Sequence, residues 1–272
     1  MLKLELVEAV LARALKGGAD FAEVYAQRAK KRRMKVRQGA LEEALSGLDY
    51  GAGVRLFFGT EVVYAYTNDL TQEGLMEALE TLLRAKGALG KVDEGGKGGL
   101  DFRKATPKGL HAPKVPYGEK DKRYRLERLL EAEAGARIAP AIKQVEASLL
   151  EWEEEVLVAN TEGVFAEEKR VRTRLFVLAV AQDGAEVQTG YSAPGKSVGL
   201  ELFDLYPPKA VGEKAARQAL TNLKARPAPA GTFPVVVGPG FGGVLFHEAV
   251  GHLLETTSVA RKASVLADKL GE

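Results

Sequence analysis

Two of the chain's three histidines, His247 and His252, stand five residues apart, and Glu248 follows the first directly, in the run "FHEAVGH". A neutral imidazole is a good zinc ligand, and a carboxylate that does not bind the ion can take a proton from the water that the ion acidifies. These residue types point to metal-assisted hydrolysis, with His247 and His252 as ligands and Glu248 as general base. The spacing is one residue longer than in H-E-x-x-H, where the histidines share a helix face. Five residues along an ideal α-helix set two side chains about 140° apart. Two imidazoles on one ion therefore require a distorted helix. Distortion is least costly at Gly251, for instance as a π-bulge. The plainer reading is a pair of ordinary helix histidines, one on the surface and one half-buried. Glu255 is eight residues from His247, about 12 Å of helix rise, too far for the same coordination sphere, so it is expected to support or cap rather than ligate.

The preceding residues allow a competing reading. Gly238, Gly240 and Gly243 spell G-x-G-x-x-G between an apolar run, "FPVVV", that reads as a strand, and the histidine-bearing helix. A dinucleotide site also needs a second strand with an acidic residue about twenty positions on. Downstream, "TTSVARKASVLADKLGE" offers no strand, and Asp268 sits among helix formers. Pro239 removes an N–H where pyrophosphate would need donors. "GPGFGG" reads better as a tight turn that feeds a strand into the active-site helix. Dinucleotide binding through Gly238–Gly243 ranks third, behind the metal site and behind a non-catalytic assembly or binding module whose metal site is incomplete.

The elements that must position this helix form an α+β pattern. Leu4, Val7, Val10, Leu11, Ala14 and Leu15 recur at helical spacing up to Gly17 and Gly18. Strands are expected at 21–27 and 33–39, then at 54–58 and 62–66 as a hairpin around Gly59-Thr60, followed by a helix from the N-cap Thr71 to Gly87. Residues 1–90 thus read as an N-terminal α+β domain. The glycine- and lysine-rich residues 91–120 read as a linker or long loop. A central domain, 121–224, combines a helix over Asp121–Arg137, strands near 145–150 and 156–159, a hairpin around Asp183-Gly184 and a helix opened by Pro208. After a second linker, "RPAPAG", residues 231–272 read as the beginning of a C-terminal domain carrying the active-site helix.

Composition narrows the classes. The chain has 272 residues, 46% of them hydrophobic, enough to bury a substantial core. The net charge of +2 gives no global field that would recruit nucleic acid or an anionic membrane. Lys30, Lys31, Arg32 and Arg33 form the one basic run and are expected to lie on a solvated strand edge. The absence of cysteine removes disulfides and thiolate chemistry and fits a reducing cytoplasm. No run approaches the roughly 18 apolar residues of a membrane span, and Glu5, Glu8 and Arg13 interrupt any signal-peptide pattern at the N-terminus.

With these residues in hand, the chain resembles the TldD/PmbA family, known as modulators of DNA gyrase and as metallopeptidases. The segments "GADFAEVYAQ", "GVRLFFGTEVVYAYTNDLT", "VANTEGVFAEE", "APAGTFPVVVGPGFGGVLFHEAVGHLLE" and "ARKASVLADKLGE" follow family order across the whole chain. The H-E-x-x-x-H motif places it with the catalytic TldD type rather than the motif-lacking PmbA/TldE type. The resemblance implies zinc on His247 and His252, Glu248 as general base, and peptides that are unfolded or partly degraded as substrates. It also implies a heterodimer with a motif-lacking partner subunit; self-association is the alternative. The family's third ligand is a cysteine further downstream, which this sequence does not contain. On that reading the chain is the N-terminal and central portion of such a protein, truncated or split, and has little activity alone.

Overall fold

The computed structural model describes residues 1–87, 100–105, 112–269 and 271. The fold is α+β, as expected, and residues 1–225 and 226–272 form two separate units. The first is built on one eight-stranded sheet: β1 (Phe21–Arg37), β2 (Ala40–Phe58), β3 (Glu61–Thr67), β4 (Arg103–Ala105), β5 (Ile142–Asn160), β6 (Val164–Asp183), β7 (Glu186–Ser192) and β8 (Gly195–Lys196). The order is β3-β2-β1-β5-β6-β4, with β7 and β8 also pairing to β6. All pairings are antiparallel except β4 with β6.

The strands are much longer than hydrophobic alternation suggests. The two short strands expected at 21–27 and 33–39 are one strand, as are those near 145–150 and 156–159. Charged residues mid-strand hide the period of two. They are tolerated because register pairs them with opposite charge on the neighbouring strand, as Lys30 opposite Glu153 and Arg32 opposite Glu151. The basic run Lys30–Arg33 therefore occupies an interior strand, flanked by β2 and β5, and the expected strand edge is corrected.

Two apolar clusters cover one face of this sheet. Helix α1 (Leu4–Lys16) buries Val7, Val10, Leu11 and Ala14, and α2 (Gln72–Ala85) buries Leu75, Leu79 and Leu83, against Val24, Val54, Leu56 and Leu157. Thr71 caps α2 by accepting from Gly74 N at 3.2 Å. The second cluster lies beneath α3 (Lys122–Ala136) and α5 (Pro208–Leu223), where Leu129, Val211 and Ala215 meet Val145, Leu149, Leu175 and Val177. Asp121 caps α3 through Tyr124 N at 2.8 Å. The two helices touch through glycine: a Cβ on Gly212 would stand 1.9 Å from the Ala132 carbonyl oxygen. The four-residue α4 (Leu202–Leu205) precedes α5.

Much of the expected linker 91–120 lies outside the described residues. The described part is held down: Glu201 accepts from Lys114 N and Val115 N at 2.9 and 3.0 Å, and the buried Tyr117 hydroxyl donates to the Arg172 carbonyl at 2.8 Å. Beside it, Arg125 on α3 bonds Glu151 at 2.5 Å and the Tyr117 carbonyl at 2.8 Å, with both charged side chains almost fully buried. Removing one partner of a buried pair strands the other, so Arg125→Ala is expected to destabilise the chain by about 3–5 kcal/mol. Replacing both, Arg125→Met with Glu151→Leu, should recover the part of that loss due to the stranded carboxylate, while the Tyr117, Lys120 and Asp121 carbonyls that Arg125 also serves and Arg32, 3.5 Å from Glu151, still lose a partner; chemical denaturation of the two variants measures it.

Candidate metal centre

The histidine motif lies in the second unit. Helix α6 (Gly242–Ala249) carries His247 and Glu248, and a 3₁₀ turn (Gly251–Leu254) carries His252. Between them Val250 takes φ −130° and ψ −43°, outside helical geometry. The irregularity that the five-residue spacing demands is present. Its form differs from the expected π-bulge at Gly251: the α-helix ends, and a tighter turn begins one residue on. A β-branched side chain is stiff and favours extended backbone, so the Val250-Gly251 pair is a weak point for a helix. Gly251 keeps a negative φ, and its lack of a side chain serves proximity instead. A Cβ there would come within 3.4 Å of His247 Nδ1.

The break brings the two imidazoles together, with ring centroids 4.5 Å apart and planes inclined by 66°. One ligand atom from each of His247, Glu248 and His252 falls within 4.8 Å of the others, and among the described residues no other group of three such side chains does so. Glu248 Oε2 stands 3.6 Å from His252 Nε2. On its other side, His252 Nδ1 is 2.6 Å from Glu255 Oε1. Glu255 thus takes the supporting place expected of it. This bond, before all else, raises the His252 pKa above its ordinary value, and Glu248 adds to the effect. It also favours the proton on Nδ1, leaving Nε2 as the free donor atom. All three cluster side chains are exposed.

Ser264 steadies the turn. Its hydroxyl donates to the Leu253 carbonyl at 2.6 Å and accepts from Leu266 N at 3.1 Å. Sequence reasoning missed this residue, for a serine eleven positions from the carbonyl it serves leaves no periodic signal. The short helix α7 (Thr256–Ala260) lies between.

The residues before α6 depart from expectation. Residues 232–238, which include "FPVVV", form no strand, and Val235 and Val236 are exposed. An apolar, β-branched run becomes a strand only where a partner backbone accepts it, and among the described residues none does. Gly240, at φ +90°, makes the turn before α6, closed by Gly243 N donating to the Gly240 carbonyl at 3.0 Å. A dinucleotide site built on Gly238, Gly240 and Gly243 thus lacks the strand it requires.

Three models of PmbA/TldA metallopeptidase domains match the chain: domain 1 over residues 22–86, the central domain over 113–223 and the C-terminal domain over 230–272. A metalloprotease TldD homologue of Haemophilus influenzae is 32% identical over 263 residues, covering 93% of this chain and 53% of that protein. A metalloprotease of Methanothermobacter thermautotrophicus is 28% identical over 254 residues, 93% of this chain and 54% of its own. The chain spans about half the length of the curated relatives it matches. Among solved structures, TldE from Thermococcus kodakarensis superposes with a TM-score of 0.69 at 16% identity, over 98% of this chain and 59% of that one. A Thermotoga maritima protein named for a suggested role in modulating DNA gyrase gives 0.74 at 17%, over 98% and 59%. At such identities the likeness is one of fold.

The Glu255–His252 contact yields a prediction. Glu255→Ala is expected to shift the His252 ¹⁵N resonances towards a mixture of tautomers and to lower by roughly tenfold or more the affinity for any divalent ion the cluster takes up, while Glu255→Gln, which still accepts from Nδ1–H, keeps the tautomer. Unchanged ¹⁵N shifts in the alanine variant would show that the contact does not orient the ring.

Proposed function

We propose that this chain, which belongs to the PmbA/TldD metallopeptidase family, supplies two zinc ligands and the general base of a peptidase that hydrolyses unfolded or partly degraded peptides. The observation that carries this reading is the helix break at Val250, which sets His247 and His252 side by side although their spacing opposes it. A distorted helix end spends hydrogen bonds and gains no buried surface here, so convergence of two imidazoles on a carboxylate is best understood as serving a shared ion.

The donor set suits zinc: two imidazole nitrogens converge in one small, solvent-open cluster, with a carboxylate beside them that is free to handle the proton. When bound, zinc would act as a Lewis acid that makes water a nucleophile at neutral pH. His247 and His252 would hold it, the latter through the nitrogen that Glu255 leaves free. Glu248 would take the proton from the attacking water and hand it to the departing amine nitrogen, a role that needs a carboxylate beside the ligands rather than a further ligand. The cluster's exposure admits an extended backbone from solvent, which favours flexible peptides over folded proteins.

Two histidines make a weak zinc site. The sequence contains no cysteine, the residue that the family resemblance implies as third ligand, so this chain alone is proposed to have little activity. A motif-lacking PmbA/TldE-type subunit, or a second copy, is the proposed partner. Exposed Phe241, Leu245 and Phe246 on and beside α6 support a need for a covering surface. A cytoplasmic location is proposed from the absence of cysteine; no helix among the described residues is long and apolar enough to cross a membrane. The same missing ligand favours a second reading, a non-catalytic assembly or binding module.

Zinc content and turnover separate the two readings. In the assembled complex, Glu248→Gln is expected to retain stoichiometric zinc by mass spectrometry and to lose peptide hydrolysis by about a hundredfold or more, while His247→Ala loses the metal. Full turnover in Glu248→Gln removes the general-base role, and a complex without zinc, indifferent to His247→Ala, leaves the assembly reading.

A further inference from the structure

The basic run of β1 plays no part in the peptidase reading. Register places Lys31 opposite Trp152 and Trp152 opposite Arg172; the next row runs Arg33, Leu150, Arg174. Lys31 Nζ lies 4.8 Å from the Trp152 ring centroid, and Arg172 Cζ lies 5.5 Å from it. These two rows floor a cleft of about 700 Å³ walled by Lys31, Arg33, Arg172, Arg174 and Lys196, while Arg32 and Glu151 at its margin alternate to the helix-covered side, where they pair with each other at 3.5 Å and Glu151 also with Arg125. Lys31, Arg33 and Arg172 share their charge with Asp49, Glu43 and Glu154 at 2.6, 3.4 and 3.7 Å. Among the described residues Arg174 and Lys196 have no ion pair. A cleft walled by one sign concentrates the field on whatever enters it.

We propose that this cleft binds an acidic polypeptide segment in extended conformation. Same-face side chains along a strand recur every second residue, about 7 Å apart. Lys31 with Arg33, and Arg172 with Arg174, are two such pairs, one on each side of Trp152 and Leu150. An extended peptide lying along β5 has the same repeat, so the acidic side chains of alternate residues face the cleft, their carboxylates meeting the cation tracks and their methylenes covering Trp152 and Leu150. A polynucleotide fits less well. The chain's net charge is only +2, the cleft is short, and the Trp152 ring is already engaged by two cations rather than free to stack a base. The inference needs neither zinc nor hydrolysis and stands apart from the peptidase reading.

Trp152 is the chain's one tryptophan and reports on the cleft directly. The 272-residue chain, kept in chelator at low salt, is titrated with a capped hexapeptide of alternating Glu and Val while Trp152 emission is followed. A saturable change is expected, weakened by added salt and absent with the matching Lys-Val peptide. Arg174→Glu with Lys196→Glu, both at exposed positions, should weaken binding by about tenfold or more with circular dichroism unchanged. Should that variant unfold, Arg174→Gln with Lys196→Gln makes the same comparison with no new charge. No saturable change, equal affinity in the folded variant, or displacement of the peptide by an oligonucleotide of equal charge that binds more tightly would overturn the proposal.

Discussion

The register between β1 and β5 is the constraint on which the first unit rests. Residues 23–37 pair with 160–146 without a shift, and this one antiparallel ladder joins the helices α1 and α2 to the helices α3 and α5 on a common sheet. It also sorts the charges. Glu151 faces α3, where Arg125 neutralises it; Lys31, Arg33, Trp152 and Leu150 fall on the opposite face. Because side chains alternate with a period of two, a slip by one residue would either turn Glu151 out, if β5 moved, or drive Lys31 and Arg33 into the helix-covered side, if β1 moved. The desolvation cost of buried, unpaired charge rejects that alternative, so the mid-strand charges that blur the sequence pattern are also what fix the register.

Locally determined features could be read from the sequence. The cap Thr71 accepts a hydrogen bond from the N–H three residues ahead, as expected, and the Gly59 and Gly184 turns join strands that need no distant partner to be recognised. The long strands could not be read in full, since Lys30–Arg33 and Glu151–Glu155 obscure alternation and are explained only by residues more than a hundred positions away. "FPVVV" failed in the opposite direction: its composition favours a strand, but composition cannot supply the neighbouring backbone. At the candidate metal centre the residue types and the need for distortion were legible. The distortion's form was not, because Val250 and Gly251 share the break between them and the sequence drew attention only to the glycine.

The second unit is stabilised differently from the first. No residue of α6 is buried, and its apolar side chains Leu245 and Phe246 are exposed, so burial does not fix the histidines in place. What remains are short-range hydrogen bonds: Val250 N to the Phe246 carbonyl, Leu253 N to the Val250 carbonyl, Ser264 to Leu253, and His252 to Glu255. A helix of eight residues is marginal on its own, and each such bond contributes only modestly once water competes. An ion shared by His247 and His252 would tie the end of α6 to the following turn, so its binding free energy would also be ordering free energy for this segment. For such an ion, order and affinity would be one linked quantity. Anything that covered the apolar face of α6 would stabilise this geometry, and by the same linkage an ion held there would favour the covered state.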